Sequence, residues 1–234
     1  YDGLRCTRTT SVDTSQMSRL QTQRIAESAY VRGPVVLRTL MRFRTRICPF
    51  EELVAAVPDE ARVLDVGCGS GLLLVLLAAM RRGIAGIGFD SSKVAIEVAR
   101  SVDLASIASE GSRIEFLHRA IGEPWPEGQF DVVCLVDVMH HVPPADQQSL
   151  FEQCIGRVRP GGLLLYKDMS DTPLLHATWN RMHDLLLARQ WIHYRSIADV
   201  DRWAVAAGCR TVASARIRRA LYEHDLRVFR VIDG

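Results

Sequence analysis

The stretch Val63-Leu64-Asp65-Val66-Gly67-Cys68-Gly69-Ser70-Gly71 constrains this chain more than any other. A short apolar run of strand type enters three glycines at alternate positions, and Leu72 to Met80 continues without a break as an apolar helix. A strand that turns on glycine into a helix exposes unpaired N–H groups and removes the Cβ atoms that would keep a ligand away from the backbone. In the dinucleotide pattern GxGxxG a third glycine would stand where this chain has Leu72, so the even spacing favours a ligand of nucleoside and amino-acid character over a pyrophosphate.

From Arg62 to Gly162 strand-like runs alternate with helical patterns, the signature of a parallel sheet made of βαβ units. Strands are expected at Arg62–Val66, Ile84–Phe89, Arg113–Leu117, Phe130–Val136 and Leu163–Lys167, with helices at Gly71–Arg81, Ser92–Ser106 and Ala145–Val158 between them. Beyond the fifth strand the pattern changes to helices at Thr172–Gln190 and Ile197–Ala207, the latter closed by Gly208. Two last strands, Arg210–Arg216 and Asp225–Val231, are joined by so short a turn near Ala220–Glu223 that they must run antiparallel.

Ahead of the sheet, residues 1–16 are polar, and Val35–Ile47 reads as a helix with Val36, Leu40, Phe43 and Ile47 on one face and Arg38, Arg42 and Arg46 on another. The first fifty residues hold nine arginines against three acidic groups, whereas the remainder is acidic in balance, and a net charge of +2 does not indicate a nucleic-acid partner. The six cysteines stand singly, without the paired spacing of a disulfide or zinc framework, and read as reduced thiols. No apolar run approaches the roughly 20 residues of a bilayer span or resembles a signal peptide, so a cytoplasmic protein is expected.

A second chemical marker is Asp90, which closes the second strand at Gly86-Ile87-Gly88-Phe89-Asp90; one carboxylate can accept both hydrogen bonds of a vicinal diol. With Val63–Gly71 and Asp90 together, the sequence resembles the class I S-adenosylmethionine-dependent methyltransferases. The resemblance continues through Phe130-Asp131-Val132-Val133, Val138-Met139-His140-His141-Val142-Pro143 and Arg157-Val158-Arg159-Pro160-Gly161-Gly162, and points to the small-molecule branch that acts on quinone-type and other metabolite acceptors. It covers roughly Ala61 to Lys167 and implies an α/β, Rossmann-like seven-stranded sheet, mostly parallel, with a C-terminal antiparallel hairpin, helices on both faces and an N-terminal helical cap. The expected division is a tail and cap over residues 1–50 and a methyltransferase domain over 51–234, with an insertion at 169–195 over the acceptor.

By that resemblance S-adenosylmethionine is the cofactor and S-adenosylhomocysteine its product. Asp65, Gly67 and Gly69 would surround the methionine part, with Cys68 and Gly71 also at the cofactor. Asp90 would hold the ribose, Ser91 and Arg119, Ala120 and Ile121 would stand at the adenine, and Asp137 beside the methionine amine and the transferring methyl. Two departures affect the adenine: His118-Arg119-Ala120 replaces the Gly-Asp-Ala of many members, and Ser91 replaces an aliphatic residue. Backbone groups of Ala120 and Ile121 are the expected substitutes.

Ligands lie outside the carboxyl ends of parallel strands, which puts Asp137, His140 and His141 after the fourth strand, and Asp168 after the fifth, in reach of an acceptor. Histidine is the natural base near neutral pH, and His141, His140 and Asp137 are the catalytic candidates. Thr172 to Tyr194, with His176, Trp179, Asn180, His183, Trp191, His193 and Tyr194, is expected to cover the acceptor; no metal site is expected. A nucleic-acid methyltransferase would show Asp-Pro-Pro or Asn-Pro-Pro followed by an aromatic after strand four, which is absent. The expected partners are a small-molecule or lipid-like acceptor and, through the arginine-rich helix, a membrane surface or acidic carrier protein, with the chain a monomer or homodimer. The alternative reading is a cofactor-binding regulatory or inactive subunit with the same fold.

Overall fold

The computed structural model describes residues 19–30, 35–170, 193–219 and 222–232. Its centre is a seven-stranded sheet in the order β3-β2-β1-β4-β5-β7-β6. The strands are β1 (Arg62–Val66), β2 (Ala85–Asp90), β3 (Arg113–His118), β4 (Phe130–Val136), β5 (Val158–Met169), β6 (Cys209–Arg219) and β7 (Tyr222–Val231). β1 to β5 are parallel, and β7 runs antiparallel between β5 and β6. The chain builds outward from β1 to β3 and then returns to place β4 on the other side of β1, so the crevice between β1 and β4 is the switch point where such sheets bind ligands. Val66 is level with Phe89 on one side and Leu135 on the other, which opens the turns after β1, β2 and β4 along one edge.

β4 reads as an unbroken apolar run because both of its faces are covered: Val132, Val133, Cys134 and Leu135 are all 0 % exposed. One face packs on α4 (Leu72–Met80), the other on α7 (Gln147–Gly156) and α8 (Ile197–Ala206). Leu72 through Ala78 are all buried, which an isolated amphipathic helix could not achieve. Burial all round follows because α1 (Arg19–Ala29) and α3 (Phe50–Ala56) pack on α4 from the side away from the sheet. Ala26, Tyr30, Met41 and Cys48 share one core with Val63 and Leu74, so the N-terminal helices, including α2 (Val35–Ile47), pack against the sheet and its helices.

The expected sheet, its antiparallel hairpin and its two helical layers are all present. Four details differ. The hairpin strands run further toward their turn than expected, to Arg219 in β6 and from Tyr222 in β7. The helix expected over Ser92–Ser106 is broken into α5 (Lys93–Arg100), capped by Ser92 Oγ accepting from the Ala95 N–H, and the short α6 (Leu104–Ile107). β5 begins at Val158, not Leu163, because Val158 pairs with Phe130 across a register shift before Leu163 meets Val132. Helices α1 and α3 were not anticipated: α1 buries only Thr22, Ala26 and Ala29, a stripe of small residues that leaves little hydrophobic periodicity to read. The helix expected at Thr172–Gln190 and the polar residues 1–16 lie outside the described residues.

Candidate active site

The turn after β1 is held open by its glycines. Gly71, the residue before α4, has φ +79°, and a Cβ on it would stand 2.5 Å from the Phe116 ring, so β3 and the helix start can approach only a glycine. At Gly69 a side chain would meet only Arg44 Nη1, at 3.5 Å, so this point of the turn faces open space. Asp90 fixes the turn from the neighbouring strand: its Oδ2 accepts from the Gly69 N–H at 2.9 Å and its Oδ1 from the Ser92 N–H at 2.8 Å. Each carboxylate oxygen retains a further lone pair, which is what a ribose diol would need. Cys68 is buried, and Tyr30 donates to the Ser70 carbonyl at 2.7 Å, tying the end of α1 to the same turn.

Asp65 is 2 % exposed at the base of this turn. Burial, reinforced by the Asp90 charge and opposed by Arg44, pushes its carboxyl up to about 7. A buried carboxylate held so weakly ionised is suited to a cationic ligand. Asp65, Asp90 and Arg44 together offer an acid for an ammonium, an acid for a diol and a guanidinium for a carboxylate, a donor set that fits the amino-acid and ribose parts of S-adenosylmethionine. Arg44 was not singled out by the sequence, where it sits among five arginines from Arg32 to Arg46 without a distinguishing neighbour.

On the adenine side Ser91 is exposed and its carbonyl lies 3.0 Å from His118 Nε2, while the Arg119 N–H donates to the Asp90 carbonyl at 2.9 Å. The Ala120 N–H donates to Glu123 Oε2 at 2.6 Å, and the Ile121 carbonyl accepts from Trp125 Nε1 at 2.8 Å. Two of the backbone groups expected to read adenine thus already have protein partners.

Across the crevice, Asp137 follows β4 with φ +57°, a left-handed conformation rare for a side chain other than glycine, asparagine or aspartate. Lys167, 1 % exposed, donates to its Oδ1 at 2.5 Å, and Arg44 stands 3.6 Å from its Oδ2. Burial alone would raise the Asp137 carboxyl, but Lys167 and Arg44 outweigh it and hold it well below the usual carboxylate range. His224, 2 % exposed on β7, is pushed down to about 4 by burial and then by Lys167, so it is neutral.

The two adjacent histidines are separated by burial. His141 is exposed, whereas His140 is 4 % exposed, its Nδ1 bonded to Asp168 Oδ1 and its backbone N–H donating to Asp168 Oδ2 at 3.2 Å. Gln147, fully buried, clamps this loop by donating to the carbonyls of Met139, Val142 and His193. The His193 N–H in turn donates to the His140 carbonyl at 2.9 Å, and the Ser170 N–H to the Glu223 carbonyl at 2.8 Å. His176, Trp179, Asn180, His183 and Trp191 lie outside the described residues; the Tyr194 ring centroid is 6.4 Å from that of His140. Among the described residues no group of three or more His, Cys, Asp or Glu side chains could hold a metal ion.

Compared with known proteins, residues 38–214 match the family model of a methyltransferase domain. The chain therefore belongs to the methyltransferase-domain family, in its class I S-adenosylmethionine-dependent form. It is 33 % identical over 156 residues to a ubiquinone biosynthesis O-methyltransferase of Alkalilimnicola ehrlichii, a stretch covering 62 % of this chain and 59 % of the relative. The enzyme of the same name from Pseudomonas fluorescens is 36 % identical over 112 residues, 48 % of this chain and 46 % of the relative. The chain thus spans about half to three-fifths of these curated relatives. Among solved structures, magnesium protoporphyrin IX methyltransferase from Synechocystis PCC 6803 with bound S-adenosylhomocysteine superposes with a TM-score of 0.65 at 18 % identity, over 90 % of this chain and 93 % of that one, a likeness of fold.

Proposed function

We propose that this chain transfers the methyl group of S-adenosylmethionine to a small-molecule or lipid-like acceptor at the carboxyl edge of the sheet. The observation that carries the reading is the grouping of the Gly67–Gly71 turn, Asp65, Asp90 and Arg44 at the β1/β4 switch point. The cofactor supplies an electrophilic methyl on a sulfonium, so the protein's contribution is to position the partners and exclude water. In this reading Asp90 holds the ribose, Asp65 the amino group and Arg44 the carboxylate, while Ser91 and the segment from Arg119 to Ile121 flank the adenine. Asp137, pinned by Lys167, forms the wall between cofactor and acceptor. The names of the curated relatives favour an oxygen as the methylated atom.

Arg38, Arg42 and Arg46 of α2 are exposed beside Leu40 and Phe43, which are 45 % and 41 % exposed. This combination of cationic and apolar groups suits peripheral contact with an anionic membrane, where a lipid-like acceptor would be found. Among the described residues no helix is long and apolar enough to cross a membrane. The main test is thermal stabilisation by S-adenosylmethionine and by S-adenosylhomocysteine, followed by transfer of labelled methyl into a metabolite extract. Stabilisation by neither compound would refute the cofactor assignment.

A further inference from the structure

His140 and Asp168 come from different strands' ends and form a buried pair at the carboxyl edge, next to the cofactor crevice. Val138, two residues before His140, packs so closely on the first glycine of the turn that a Cβ on Gly67 would lie 2.6 Å from Val138 Cγ2. His140 Nδ1 is committed to Asp168, and the Asp168 carboxylate is itself fixed by the Met169 and His140 N–H groups. That leaves Nε2 as the ring nitrogen with no hydrogen bond among the described residues. A histidine with one nitrogen held by a buried carboxylate has its tautomer fixed and its imidazolium form stabilised, which is the arrangement a proton acceptor requires.

We propose that His140 Nε2, oriented by Asp168, removes the proton from the acceptor, and that the acceptor group is therefore a hydroxyl of phenol-like acidity. The inference rests on the methyltransferase reading above and deepens it. The hydroxyl proton passes to Nε2; the oxygen electron pair forms the new O–C bond to the sulfonium methyl; the C–S pair stays on sulfur, which leaves as a neutral thioether. The imidazolium, paired with Asp168, later returns its proton to water. An already neutral amine attacks with its free lone pair and would need no such pair before the transfer.

The groups facing His140 are Asp168 and Lys167 from β5, Asp137 from the end of β4, the His141 ring at a centroid distance of 4.1 Å, and Tyr194. Burial lowers the proton affinity of His140, but Asp168 and then Asp137 outweigh it, so its protonated form persists above the ordinary histidine value. The rate with a hydroxyl acceptor then rises with pH and levels off at a pH above about 6.5.

The test uses the full chain with two probes: a catechol of ordinary phenolic acidity, and 4-nitrophenol, which is largely ionised in water at mildly alkaline pH. His140→Gln and Asp168→Asn are compared with the parent, with Asp168→Glu as the conservative rescue. General-base catalysis contributes roughly a hundredfold or more. The expected result is a loss of that size with the catechol, less than about threefold with the nitrophenolate, partial rescue by Asp168→Glu, and an unchanged Kd for S-adenosylhomocysteine. An independent readout is the phenolate absorbance of the catechol bound with S-adenosylhomocysteine, which should appear in the parent and vanish in His140→Gln. The histidine resonances of the unaltered protein, followed through pH, should show one titrating above the ordinary value.

Equal losses with both probes would make the pair structural and overturn the proposal. A loss confined to His141→Gln would move the base to the neighbour. If the parent binds S-adenosylhomocysteine but ionises and methylates neither probe, the hydroxyl assignment fails while the cofactor reading stands. If S-adenosylhomocysteine does not bind, the methyltransferase reading itself fails.

Discussion

Lys167 Nζ lies 2.5 Å from Asp137 Oδ1, and the lysine is 1 % exposed, so two charges from neighbouring strands are locked together beneath the mouth of the crevice. Such a pair contributes little net stability compared with apolar packing, but removing Lys167 leaves Asp137 with only Arg44, at 3.6 Å, to offset its charge. Lys167→Met should therefore destabilise the protein, by less than the about 3–5 kcal/mol of a wholly uncompensated buried charge, and Lys167→Met combined with Asp137→Asn by clearly less again. Urea unfolding of the parent and the two variants checks this; a double variant as unstable as the single would show that the pair is uncoupled.

The same pair makes a prediction for acid. The Asp137 carboxyl is depressed below its ordinary 3.8 because Lys167 and Arg44 outweigh the effect of burial. A depressed carboxyl contributes stability above its unfolded value and loses it as the pH falls toward the folded one. The melting temperature of the parent should drop as the pH is lowered below about 4, and Asp137→Asn should flatten that limb.

Much of this was legible in the sequence, and what was not has identifiable causes. β1 and β4 were readable to the residue because buried parallel strands are continuous apolar runs between turns. The turn of Gly67, Gly69 and Gly71 was readable because its conformation excludes most side chains. Arg44 was not, since which arginine of a helix points inward depends on what α2 packs against. Nor could the sequence separate His140 from His141: adjacent residues on a single 3-10 turn differ only in which one the distant Asp168 meets.

Asp65 should make cofactor binding depend on pH, and its own contribution to stability should run in the opposite sense to that of Asp137. Its carboxyl, raised to about 7 by burial, is mostly protonated in the free protein below that value. An ammonium group binds the ionised form, so affinity should rise about tenfold per pH unit up to about 7 and then level off. In the free protein a raised carboxyl contributes stability that is present below the unfolded value near 4 and lost as the pH climbs to about 7. Calorimetric titrations across that range, with Asp65→Asn as the comparison, check both; an unchanged slope in the variant would assign the dependence elsewhere.

Asp90→Ala should weaken S-adenosylmethionine binding by more than tenfold, since hydrogen bonds to a charged group are each worth about 1.5–3 kcal/mol. Because Asp90 also holds the N–H groups of Gly69 and Ser92, the variant should lose thermal stability even without cofactor. Less than a threefold loss in affinity would remove Asp90 from the ribose site.

The surface of α2 gives the last prediction. Arg44 is turned inward to Asp137, while Arg38, Arg42 and Arg46 are exposed, Arg42 lying 2.7 Å from Glu27. If these arginines serve only solvation, vesicle composition should not matter. If α2 meets an anionic membrane, the arginines supply the attraction that salt screens within about 10 Å at 0.1 M, and Leu40 and Phe43 supply insertion that salt does not screen. Co-sedimentation with vesicles containing phosphatidylglycerol should then exceed that with neutral vesicles at low salt and decline at high salt. Changing Arg38, Arg42 and Arg46 together to Gln should abolish the preference, and changing Leu40 and Phe43 to Ser should lower binding to anionic vesicles while preserving its salt dependence. Equal binding of the parent to both vesicle types would exclude the membrane as the partner of this face.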